Sequence, residues 1–392
     1  MNIARQFNES PSAIKCIDMH TSGEPARIVY SGYPPMPGLT LLEQRAEAKA
    51  RYDHIRRRIM LEPRGHRDMY GAIIRADTEL VREGKAHVGV LYCHNSGYST
   101  MCGHATIALG RFLVDVDDRD VFPAREQLQV DEQSQTVQIL LHAPCGVVAL
   151  TVPVLPGGRK SDPARFVSFN SMPAYPVATG LVLTIAQSLR WPQLLDAGRD
   201  RVILDIAYGG SYHVIVPAKE LGFAHGLRDV SLEEARQAVK KLVSAISSNP
   251  EVAGAFGAYA VMLTDTETGD SKPGTDGGEL GLCFFGDDQI DRSPTGSCVA
   301  ARMALAHAKG IRGVGQQWTY ESLVSRYFKT GAFRAEIVQE VPLENRQGEP
   351  RKGVIVKVEG QASFNGCATF IVEAGDSISS EGFLLENIIK ER

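Results

Sequence analysis

Two stretches of this chain are apolar in every direction around a helix axis. Ala105, Ile107, Ala108, Leu109, Phe112, Leu113 and Val114 cover the first; Val299, Ala300, Ala301, Met303, Ala304, Leu305 and Ala306 cover the second, which stops at Gly310. A helix without a polar face is buried on all sides. Each pattern therefore predicts a helix at the centre of its own domain, wrapped by strands. Strand-like alternation or short β-rich runs recur at 27–30, 71–75, 87–92, 136–142, 146–154, 201–207, 212–216, 259–264, 281–285, 316–327, 333–338, 353–358 and 368–373. Helices with a polar face are fewer: a charged, periodic stretch at 41–60, and 231–248, which opens with the capping-box pattern Ser-Leu-Glu-Glu. Many strands with helices isolated among them predict an α+β fold rather than repeated βαβ units.

The spacing around the two buried helices suggests a repeat. Each helix is preceded by a small polar residue and glycine: Met101-Cys102-Gly103-His104 before the first, Pro294-Thr295-Gly296-Ser297 before the second. Val29, in a Gly-Glu-Pro-Ala-Arg-Ile-Val-Tyr strand, lies 73 residues before Cys102, and Ile215, in Gly-Gly-Ser-Tyr-His-Val-Ile-Val, lies 80 before Thr295. With 392 residues, two domains of roughly 150–200 residues each are expected. The polar stretch 196–201 sets the expected division, with one domain at 1–198 carrying Cys102 and the other at 199–392 carrying Asp291 and Thr295. The last strand is free to return to the first domain. Residues 264–279 offer almost nothing apolar to bury and read as a mobile surface loop.

Composition narrows the function. Forty-two basic and 46 acidic residues, nearly interleaved for a net charge of −4, leave no nucleic-acid surface. The basic cluster at 51–58 reads as a solvated helix face. No apolar run approaches the ~20 residues that span a bilayer, so no membrane partner is expected. Seven cysteines are scattered without C-x-x-C spacing, and the N-terminal residues lack the apolar run of a secretion signal. Together these point to reduced thiols in the cytoplasm. Most of the cysteines, Cys298 included, are expected to be packing residues. His20, His94 and His213 read as structural groups. No H-E-x-x-H, Walker loop or strand-following G-x-G-x-x-G is present. Neither a metal nor a nucleotide is implied, and no lysine motif points to pyridoxal phosphate.

The chemistry then rests on the two helix entrances. A helix N-terminus presents free N–H groups and partial positive charge, so it favours anions. Gly103 and Gly296 let a ligand approach closely. Two such ends facing one ligand suit a shared carboxylate. The same field favours thiolate over thiol at Cys102 and makes it a candidate base. Thr295 stays protonated, and its available roles are hydrogen bonds to a leaving group or to substrate. His104 is placed to tune the thiolate or touch the ligand. Asp291, in Asp-Arg-Ser-Pro ahead of Thr295, suits an ammonium or secondary amine. A carboxylate seat beside an amine partner describes an amino-acid pocket, with the thiolate directed at a Cα proton.

The motifs Asp18-Met-His-Thr-Ser-Gly-Glu-Pro-Ala-Arg-Ile-Val29, Glu62-Pro-Arg-Gly-His-Arg-Asp-Met-Tyr-Gly71, Met101-Cys-Gly-His104, Tyr208-Gly-Gly-Ser-Tyr212 and Asp291-Arg-Ser-Pro-Thr-Gly-Ser297 resemble the proline racemase family, in order over nearly the whole chain. The resemblance implies the diaminopimelate-epimerase-like fold: two similar domains, each a strand barrel around a central helix, with the active site in the cleft between them. It implies no cofactor, a small imino-acid substrate and a homodimer. In racemases and 2-epimerases of the family both entrances carry cysteine. Here Thr295 replaces the second, which within the family marks dehydration of trans-3-hydroxy-L-proline. By this resemblance Cys102 is the proton acceptor and Thr295 holds the second catalytic position. Gly103, His104, Gly296 and Ser297 hold the carboxylate, and Asp291 engages the ring nitrogen. The alternatives are a proline racemase or hydroxyproline 2-epimerase, and an inactive imino-acid-binding homologue.

Overall fold

Parallel strands need a crossover to return the chain, whereas antiparallel neighbours need only a turn; the placement of the helices in this protein follows from that difference. The computed structural model describes residues 2–249, 260–344 and 348–390. The chain divides into two units, Met1–Phe169 with Gly360–Arg392, and Asn170–Glu359. The first contains β1 (Ile14–Thr21), β2 (Glu24–Ser31), β3 (Tyr70–Arg75), β4 (Val88–His94), β5 (Gly97–Ser99), β6 (Val130–Asp131), β7 (Thr136–Ala143), β8 (Gly146–Pro153) and β9 (Val167–Asn170). The second contains β10 (Tyr175–Thr184), β11 (Arg201–Tyr208), β12 (Tyr212–Pro217), β13 (Ala260–Asp265), β14 (Gly277–Phe285), β15 (Gln289–Asp291), β16 (Gln317–Ser322), β17 (Phe333–Glu344) and β18 (Pro350–Gly360). A last strand, β19 (Ala362–Phe370), belongs to the first unit.

The pairing order is the same in both units. In the first it runs β19–β1–β2–β3–β4–β7–β8–β9, with β2/β3 and β4/β7 parallel and β5 folded back on β4. In the second it runs β10–β11–β12–β13–β14–β16–β17–β18, with β12/β13 and β14/β16 parallel and β15 folded back on β14. Each parallel pair is bridged by helix. Leu41–Arg51 and Asp53–Met60 join β2 to β3, and Leu232–Ser247 joins β12 to β13. The two buried helices, Gly103–Asp115 and Gly296–Ala308, make the other crossovers.

Those two helices are the cores of their units. Every residue from Gly103 to Val114 is buried, and every residue from Gly296 to Ala306. The first packs on β1, β2, β3, β8 and β19, the second on β10, β11, β12 and β17. The outer helices cover a second apolar layer, built on Leu41, Ile59 and Met60 in one unit and on Trp191, Leu242 and Val214 in the other. Among the described residues no helix is long and apolar enough to cross a membrane.

Several expectations change on contact with the structure. The division falls at Phe169–Asn170 rather than 198/199. The polar stretch at 196–201 is the end of a short helix, Pro192–Asp196, and the turn that returns the chain to β11, the antiparallel partner of β10. The stretch at 41–60 is two helices, broken at Tyr52, where φ is −117° and ψ 13°. The run 316–327 is strand only to Ser322. There the Ser322 hydroxyl accepts from Ser325 N at 3.2 Å and starts the helix Leu323–Phe328. Of the strand expected at 259–264, Tyr259 lies outside the described residues. The 264–279 segment is docked through polar groups: Asp270 N donates to Glu321, Lys272 pairs with Glu321 at 3.2 Å, and the Thr275 and Thr319 hydroxyls meet at 2.9 Å. The basic cluster is not wholly solvated either. Arg56 is buried, forked onto Asp53, and donates to the carbonyls of His94 and Asn95.

Candidate active site

In the first unit the β4–β5 hairpin delivers the chain to Cys102, and Arg56 holds the carbonyls of its turn, at His94 and Asn95. Cys102 is the N-cap of its helix, with φ −145° and ψ 114°, and its Sγ accepts from Ala105 N at 3.4 Å. The cap is reinforced from below. Thr106 donates its N–H (3.0 Å) and hydroxyl (2.6 Å) to Cys102 O, and the Tyr92 hydroxyl meets Thr106 Oγ1. His104 Nδ1 lies 3.3 Å from Sγ. Its ring stands edge-on to Tyr70 at 4.8 Å between centroids, and its carbonyl accepts from the buried Thr21 hydroxyl at 2.8 Å. Sγ thus sits at a positive helix end with an N–H aimed at it, which stabilises a thiolate.

Burial pushes Cys16, Cys93 and Cys298 up to about 12, so they stay thiols. Cys298 is a fully buried packing residue.

In the second unit the corresponding hairpin, β14–β15, ends at Asp291. Asp291 Oδ1 accepts from Ser293 N at 2.7 Å, and Oδ2 accepts from the Thr295 hydroxyl at 2.8 Å. Ser293 Oγ in turn accepts from Thr295 N at 3.1 Å. Thr295 adopts φ 64° and ψ 84°, a left-handed conformation unusual for a β-branched residue, and its side chain does not cap its helix. Gly296 and Ser297 are the first helical residues. Gly209, in the β11–β12 turn, approaches so closely that a Cβ there would stand 2.1 Å from Ser297 O. Arg302, further down the helix, and Arg312, just beyond its end, both bind Glu279, while their guanidinium planes lie over Tyr320 (4.6 Å) and Trp318 (4.1 Å).

Cys102, Gly103 and His104 therefore form one cluster, and Asp291, Thr295, Gly296 and Ser297 another. Of the histidines, His20 Nδ1 accepts from Gly23 N, and His94 stacks on Tyr70. His213 is different. It is fully buried, its Nε2 lies 3.2 Å from Ser297 Oγ, and its Nδ1 has no partner among the described residues. Residues 213 and 297 are far apart in sequence, so only the folded hairpin reveals the pair.

A family model described as proline racemase matches residues 16–384. The chain belongs to the proline racemase family. Within it, the trans-L-3-hydroxyproline dehydratase of Bos taurus is 40% identical over 378 residues, covering 95% of each chain. That of Pongo abelii is 39% identical over 376 residues, again 95% of each. The solved structure of a hydroxyproline epimerase from Agrobacterium vitis has the same fold, with a TM-score of 0.73 over 96% of each chain at 18% identity.

Proposed function

We propose that this family member dehydrates trans-3-hydroxy-L-proline to Δ1-pyrroline-2-carboxylate and water, with Cys102 as its one acid–base group. The observation that carries the reading is the asymmetry of the helix entrances. Cys102 presents a sulfur that receives an N–H from Ala105, whereas the Thr295 hydroxyl donates its proton to Asp291. A hydroxyl so engaged is neither a base nor a free acid. The dehydratase relatives support the same substrate.

In trans-3-hydroxy-L-proline the hydroxyl lies opposite the carboxylate and so shares a face with the Cα hydrogen. Cys102 Sγ takes the Cα proton, the C3–O bond breaks, and the same thiol returns that proton to the departing oxygen. Water leaves and the thiolate is restored, a syn elimination that needs no acid on the other face. The resulting cyclic enamine tautomerises to the imine. Gly103, His104, Gly296 and Ser297 hold the carboxylate in this reading, Asp291 receives the ring ammonium, and Thr295 orients Asp291. The seven free cysteines support a cytoplasmic site of action, which fractionation of the native host would test.

Incubation with trans-3-hydroxy-L-proline, with the cyclic imine detected after borohydride reduction to proline, tests the reading. Imine should accumulate, while L-proline and trans-4-hydroxy-L-proline should keep their Cα configuration in a chiral assay. Racemisation of either without imine formation would replace dehydration by epimerisation.

A further inference from the structure

The Ser297–His213 pair deepens this reading. His213 sits on β12 at 0% exposure, and the only hydrogen-bond partner of its imidazole among the described residues is Ser297, reached through Nε2 at 3.2 Å. Nδ1 is buried and unpartnered among the described residues. Burial holds the imidazole neutral, with its pKa pushed down to about 3. A neutral imidazole carries one proton, on Nε2 or on Nδ1. Placing it on Nδ1 would orphan a buried N–H, which folded proteins avoid more strictly than an unpaired acceptor. The proton therefore belongs on Nε2, where it is donated to Ser297 Oγ.

That donation decides what Ser297 can do. Its oxygen accepts from His213, so its own O–H is left to donate, and it stands on the first turn of a helix whose N–H groups already favour an anion. We infer that His213 is a positioning residue that makes Ser297 an obligate donor to the substrate carboxylate. The close approach of Gly209 to Ser297 O fixes the same residue from its backbone side. The inference rests on the proposed carboxylate-seat reading, since it assigns a direction to one hydrogen bond within that seat.

Two measurements test it. In the first, kcat and KM for trans-3-hydroxy-L-proline are compared for wild type, His213→Phe, Ser297→Ala and the double variant. His213→Phe should raise KM about tenfold, the size of one hydrogen bond to a charged group, with kcat changed far less. In the Ser297→Ala background it should add nothing, because the effect passes through that hydroxyl. A further loss in the double variant, or a fall in kcat alone, would overturn the inference.

The second measurement needs no activity. Histidine 15N labelling reports the tautomer of each imidazole in the wild-type protein, with His213 assigned by the signal missing in His213→Gln. A neutral ring protonated on Nε2 is expected, and a proton on Nδ1 would overturn the inference. Wild type that shows the expected tautomer but makes no imine would reject the dehydratase reading alone.

Discussion

At the Cys102 entrance the backbone is extended and the side chain turns back to cap its own helix, accepting from Ala105 N. At the Thr295 entrance the backbone is left-handed, and the side chain turns away to donate to Asp291. The strands around them follow the same order, and so do the hairpins that deliver them, β4–β5 and β14–β15. Equivalent scaffolds therefore present an acceptor on one side and a spent donor on the other. The lesson is that a shared helix-entry motif specifies where a side chain starts, and the residue itself decides which partner it takes.

The largest expected effect comes from Cys102→Ser. Serine is a good N-cap, so the helix keeps its first turn, but its hydroxyl stays protonated. Turnover should fall by about 10²–10⁴, the range for a lost general base, with unfolding stability unchanged within about 1 kcal/mol. Steady-state kinetics and urea unfolding on one preparation separate the two; retained turnover would break the contrast between the entrances.

The helices also differ in how they are anchored. Arg302 shares the buried Glu279 with Arg312, whereas Arg111 of the first helix bonds to the Ser161 hydroxyl at 3.0 Å and to Ala362 O. Glu279→Gln leaves two buried guanidiniums without a countercharge and should cost about 3–5 kcal/mol in denaturant unfolding. A cost below about 1 kcal/mol would mean that water already screens the pair.

His213 makes a pH-dependent contribution to stability. Its folded-state pKa is pushed down to about 3 by burial, from the ordinary imidazole value of 6.5. The unfolded chain therefore binds a proton that the folded chain refuses. Stability is fully present above about pH 6.5 and declines below it, by about 1.4 kcal/mol per pH unit until the folded pKa is reached. The His213→Gln difference curve isolates this term and should be flat above pH 7 and sloped beneath 6.

The smallest effect concerns the left-handed residue itself. Thr295→Ser keeps the hydroxyl on Asp291 but removes the β-branch from a conformation costly to it. It should raise stability by a few tenths of a kcal/mol, up to about 1, and leave turnover within a few-fold.

Much of the architecture could be read from pattern. Two helices apolar on every side and matching strand spacings gave the duplicated plan, because burial on all faces leaves no polar stripe. The boundaries were less visible. β10 contains Pro176 and Gly180 and is interrupted by register shifts, so it lacks the alternation that marks a strand, and the turn after it resembled a linker. The true division passes through β9, with no change in composition to mark it. At the site, the residues beside each helix entrance were legible as motifs. Thr295's left-handed backbone was not, since only glycine advertises that conformation. Arg56 and His213 were hidden for another reason: their partners, at residues 94, 95 and 297, are brought to them by tertiary folding.

The central claim is that one thiol does the chemistry while the threonine only orients its neighbour. Its most direct test compares kcat/KM on trans-3-hydroxy-L-proline for Cys102→Ala and Thr295→Ala, each checked for folding. The account predicts a loss of about 10²–10⁴ for the cysteine variant and about tenfold or less for the threonine variant, the value of one hydrogen bond to a carboxylate. Equal losses in the two would make Thr295 an essential participant and contradict the single-thiol mechanism.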